Sequence, residues 1–91
     1  MESRVIGIDL GVTSAHTACV VDGTGGVICK RQARPTLESL SALEHAALVG
    51  AEPNTRLCVV MEPTGAAWLP VAVFFIRRGH LVYRVSSAKA S

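Results

Sequence analysis

Apolar residues arrive along this chain in short runs that switch between strand and helix spacing. Residues 4–10 (Arg-Val-Ile-Gly-Ile-Asp-Leu) are apolar at almost every position, the pattern of a central strand covered on both faces. Residues 15–21 form a second strand-like run, and Asp22-Gly23-Thr24-Gly25-Gly26 follows with strong hairpin chemistry. Residues 27–33 then read as a third strand, antiparallel to the second. Pro35 breaks the pattern, Thr36 is placed as an N-cap, and Glu38 falls in the first helical turn. Leu37, Leu40, Leu43 or Glu44, Ala47 and Leu48 recur at helical spacing, and Gly50 suits the stop. Residues 57–62 return to strand character. Residues 67–78 predict a second helix, with Pro70 tolerated in its first turn, Arg77 and Arg78 at its negative end and Gly79 as its stop. A fifth strand is expected over 81–85, before a short polar tail.

The order β-β-β-α-β-α-β is that of the ribonuclease H-like fold, an α/β domain whose three-stranded meander continues into parallel strands of one mixed sheet. In that fold the first and fourth strands are neighbours. Residues 71–76 are apolar all round, so the second helix is expected to be buried on more than one side. The sheet offers one cover only, and the tail brings no further element. The domain therefore reads as truncated after its fifth strand.

Composition adds three limits. At 91 residues there is room for one small domain, 49% of it hydrophobic, with a mean hydropathy of +0.39. A chain of this size buries only about 60% of its unfolded surface, so some apolar surface is expected to meet something outside the chain. Nine basic against seven acidic residues give a formal +2, too little to argue for nucleic acid by charge alone. Local thickenings at Lys30, Arg31 and Arg34, and at Arg77, Arg78, Arg84 and Lys89, hint at a phosphate-facing surface. Cys19, Cys29 and Cys58 make no CxxC pair and read as reduced packing thiols of a cytoplasmic protein. Cys19 and Cys29 would face each other across the hairpin. Asp9 interrupts the first apolar run, so the start does not read as a signal peptide and none is expected. The run over 66–76 falls short of the ~18 residues of a membrane span, so no membrane partner is expected.

Two acids stand out against this background. Asp9 closes the first strand ahead of Leu10-Gly11, and Glu62 closes the fourth ahead of Pro63-Thr64-Gly65. Ligands of open α/β sheets sit outside the carboxyl ends of the strands. Adjacent strands lie ~4.8 Å apart, so Asp9 and Glu62 on neighbouring strands would ligate one divalent ion. Mg²⁺ or Mn²⁺ prefers such hard oxygen donors, with substrate phosphates completing the shell. Each acid also has a plainer role, as a turn residue or a cap. His16, His45 and His80 lack metal-ligand spacing and read as surface or turn residues. Thr13 and Ser14 suit a tight turn, Thr64 suits the cap of the second helix, and Trp68 suits helix packing.

Gly7-Ile8-Asp9-Leu10-Gly11, the meander after it, and Met61-Glu62-Pro63-Thr64-Gly65 ahead of an apolar helix together resemble the start of DEDD-type insertion-sequence transposases. These are the RuvC-like recombinases of the insertion sequence 110 group. The resemblance implies that residues 1–91 are the N-terminal part of a catalytic domain whose four acids bind Mg²⁺ or Mn²⁺ for DNA strand cleavage and joining. Asp9 and Glu62 match the first two acids. The remaining two, and a serine on a C-terminal domain, have no counterpart in this chain, so these residues alone are expected to be inactive. DNA, a guide RNA and homo-oligomerisation of the full-length protein are implied as partners.

Two other classes stay open. Residues 7–14 also resemble the first phosphate loop of the actin-like ATPases and sugar kinases, where a similar meander follows; the Glu-Pro-Thr-Gly element is not expected there. A non-enzymatic α/β interaction module would use the two acids only as turn residues and offer an apolar helix face to a partner.

Overall fold

A computed structural model describes residues 3–11, 15–62 and 66–85. Its elements follow the expected order: β1 (Arg4–Asp9), β2 (His16–Asp22), β3 (Val27–Ala33), α1 (Leu37–Leu48), β4 (Leu57–Met61), α2 (Trp68–Arg77) and β5 (Leu81–Arg84). The strands form one mixed sheet in the order β3-β2-β1-β4-β5. β1, β2 and β3 pair antiparallel, whereas β4 runs parallel to both β1 and β5.

This topology decides which face is covered. The chain crosses from β3 to β4 through α1 and from β4 to β5 through α2, moving the same way across the sheet each time. Crossovers between parallel strands are right-handed, so both helices come to rest on one face. The core lies there. Ile6, Ile8, Ala18, Val20, Leu57, Val59 and Met61 of the sheet pack against Leu40, Leu43 and Ala47 of α1 and Val71, Ala72 and Phe75 of α2. The shortest principal extent is 21 Å, the thickness of one sheet and one helix layer. β1 is thus central but covered on one side only, which corrects the two-sided burial suggested by its continuous apolar run. Its burial alternates, with Val5 and Gly7 half-buried on the other face and Asp9 exposed.

The second helix is covered on one side only, as a single sheet allows. Val71, Ala72 and Phe75 are buried, yet Leu69, Val73 and Ile76 are 49%, 41% and 58% exposed. No helix among the described residues is long and apolar enough to cross a membrane.

The turns follow local chemistry. In the β2–β3 hairpin Asp22 Oδ1 accepts from the backbone N–H groups of Thr24 and Gly26 and from Thr24 Oγ1. These bonds, the Thr24 hydroxyl foremost, hold the Asp22 carboxyl below its ordinary pKa. The left-handed residue of this loop is Gly25, at φ 88°, rather than the Gly23 of the Asp-Gly pair. Thr36 caps α1 as expected, its hydroxyl accepting from Ser39 N–H at 3.2 Å. Gly79 ends α2 in a Schellman motif: its N–H bonds Ile76 C=O, and His80 N–H bonds Phe75 C=O.

Three side chains take roles that local pattern did not suggest. Arg4 is buried and donates from Nη1 to the Ala47 and Val49 carbonyls, closing the C-terminus of α1 from the sheet. His80 is not a surface turn residue. Its Nδ1 accepts from Leu57 N–H, which leaves the ring proton on Nε2, 2.6 Å from Glu44 Oε2. Arg78 Nε meets the other Glu44 oxygen at 2.6 Å. Burial pushes the Glu44 carboxyl up, but the bonds from Arg78 and His80 outweigh it and leave its pKa below the ordinary value. His16, also expected at the surface, is 3% exposed. His45 is exposed as expected.

Candidate functional site

The parallel register of β1 and β4 sets Ile8 beside Met61. Asp9 is the next residue of β1 and Glu62 the first residue past β4, so they come side by side at the carboxyl end of the sheet, about 4.8 Å apart from backbone to backbone. Side chains alternate along a strand. Asp9 therefore shares a face with Val5 and Gly7, and Glu62 with Cys58 and Val60. That is the face without helices. Both acids line one open cleft of about 630 Å³ with Gly7, Thr17, Cys19, Lys30, Val60 and Val85.

The sheet explains the shape of this cleft. Gly7 sits in its floor between Cys19 on β2 and Val60 on β4. It has no side chain to fill the centre, and a Cβ placed there would first meet Cys19 O at 4.0 Å. The missing side chain of Gly7 thus widens the centre of the cleft. Thr17 stands opposite Asp9 on β2, which puts a hydroxyl beside Asp9, on the side of β1 away from Glu62. Asp9 is exposed and Glu62 half-buried, and neither is in an ion pair among the described residues.

The backbone leaving Asp9 is tied to the neighbouring strand. Gly11 N–H donates to His16 Nδ1 at 3.0 Å, so the ring proton of His16 lies on Nε2, which is buried without a partner among the described residues. His16 shares the covered face with Ala18 and Val20, and this alternation is the sequence signal that marks it as an inward residue. Thr13, Ser14 and Thr64 lie outside the described residues, as does the Pro63-Thr64-Gly65 part of the second acid's motif.

The remaining candidates fall elsewhere. Cys19 pairs with Lys30 and Cys29 with Val20, so the two thiols point to opposite faces and do not meet across the hairpin. All three cysteines are free. Trp68 packs against the core, and the Arg84 guanidinium lies 4.0 Å over its ring, so its face is already occupied.

As donors, the two carboxylates suit a hard divalent cation such as Mg²⁺ or Mn²⁺. Among the described residues no group of three or more His, Cys, Asp or Glu is placed to hold a metal ion. An ion held by Asp9 and Glu62 would therefore keep a largely open shell. No protein-family model matches the chain, and no curated protein matches it.

Proposed function

We propose that this chain is part of a ribonuclease H-like domain that cleaves and joins DNA strands, as its resemblance to DEDD-type transposases implies. The observation that carries the proposal is the register of β1 and β4, which puts Asp9 and Glu62 side by side at the carboxyl end of the sheet and in one cleft. A bound Mg²⁺ or Mn²⁺ would supply charge stabilisation to the attacking and leaving oxygens of a phosphodiester. The chain's own part is to hold that ion and leave room for its other ligands. Asp9 and Glu62 each present oxygen donors at the carboxyl end of a strand, and Gly7 keeps the floor open for water and substrate oxygens.

The other carboxylates with assigned partners among the described residues are not placed to help. Asp22 closes the hairpin turn, and Glu44 is bonded to His80 and Arg78 on the covered side. Two carboxylates give weak binding compared with a full set, because each ligand adds charge and coordination. The 91 residues alone are proposed to bind the ion without turning over DNA.

A Mn²⁺ titration of the purified chain, followed by amide line broadening in NMR spectra, tests this reading. Broadening centred on residues 8–10 and 61–62, and lost in Asp9→Asn, is the expected outcome. A folded sample that broadens at neither strand end would overturn it.

A further inference from the structure

The cleft contains a cation as well as the two acids. Lys30 on β3 pairs with Cys19, and Cys19 pairs with Gly7. Lys30 therefore shares a row with Gly7, one side-chain row back from the row of Thr17, Asp9 and Glu62. The two rows are about 6.8 Å apart along the strands, and β3 lies about 9.6 Å from β1 across β2. Lys30 lines the same cleft and is exposed. It takes part in none of the ion pairs of the described residues. The cleft thus has carboxylates at one end and an ammonium towards the other, with Thr17 and Cys19 of β2 between them and the bare backbone of Gly7 next to Asp9 on β1.

We propose that Lys30 anchors the phosphate of a nucleic-acid backbone, beside an ion held by Asp9 and Glu62. The proposal rests on the metal reading above and adds a substrate-positioning residue to it. Charge selects the occupant. Two carboxylates and a divalent ion cancel, and the single negative charge of a phosphodiester cancels Lys30. A free phosphate or a terminal monoester would leave excess negative charge in the cleft. The ammonium suits this role as a compact point charge on a flexible stem that follows the phosphate. Gly7 matters because a side chain there would stand beside Asp9 on the same face of β1 and take up the space next to the acids.

The test follows amide shifts of the full chain in Mg²⁺ as a short oligothymidylate is added, for the native sequence, Lys30→Gln and Lys30→Arg. Shifts are expected at Gly7, Cys19 and Lys30, with affinity about tenfold weaker in Lys30→Gln and largely restored in Lys30→Arg. Inorganic phosphate is expected to bind more weakly than the oligonucleotide. Equal oligonucleotide affinity in Lys30→Gln and the native chain overturns the anchor, and inorganic phosphate binding as tightly as the diester overturns the choice of ligand. Mn²⁺ broadening measured on the same samples separates the two proposals. Broadening at Asp9 and Glu62 with no effect of Lys30→Gln sinks the anchor alone, whereas oligonucleotide shifts that depend on Lys30 without such broadening sink the metal reading alone.

Discussion

Arg4 matters far from the cleft. Its guanidinium is buried and bonds the Ala47 and Val49 carbonyls, which have no partner inside α1. Charged hydrogen bonds of this kind contribute about 1.5–3 kcal/mol, so Arg4→Met is expected to lower unfolding free energy by about that much in urea denaturation. Glu44 makes a pH prediction. Its folded pKa lies below the ordinary value of 4.5, so its contribution is fully present above that value and is lost as pH falls through the folded pKa. Glu44→Ala leaves the His80 Nε2–H without its acceptor and is expected to cost about 1–3 kcal/mol at neutral pH. The difference between this variant and the native chain should shrink in denaturation curves taken below about pH 4.5. Neither role is visible in sequence: the partners lie 43 and 36 residues away, and nothing local distinguishes a capping arginine or a paired glutamate from solvated ones.

Element ends, by contrast, are legible because they are set by chemistry within a few residues. Thr36, Gly50 and Gly79 carry the end signals in the sequence, and the structure puts a cap bond at the first and positive φ at the other two. Gly79 has φ 87°, and a Cβ added there would meet open space, so the cost of a side chain is conformational and not steric. Gly79→Ala is expected to destabilise by about 1–2 kcal/mol, read as a lower melting midpoint with native spectra otherwise retained. The apolar surface of α2 is legible as composition but not as burial. Its run of apolar residues surrounds the helix, whereas the single sheet can cover only the side of Val71, Ala72 and Phe75. Periodicity reports what a helix is able to bury, and the neighbours decide what it does bury.

At the scale of the molecule, the two crossovers stepping the same way across the sheet leave one face without a helix among the described residues, and the acid pair lies on it. Like charges on adjacent strands repel. Asp9→Asn is therefore expected to leave stability unchanged or raise it by up to about 1 kcal/mol while removing the Mn²⁺ response. A turn acid with only a structural role would instead lose stability on the same substitution, so denaturation and metal titration of one variant separate the two readings.

The sequence by itself determined the α/β class, the order of the seven elements, the Thr36 cap of α1, the glycine stops and the two strand-end acids, because spacing, turn chemistry and end effects all act over a few residues. Tertiary structure decided the rest. It set the register that brings Asp9 beside Glu62, the shared row that joins Lys30 to Gly7, the inward placement of His16 and His80, and the face left uncovered. Each depends on which strands become neighbours and on the hand of the crossovers between them, and no local stretch of this chain encodes either.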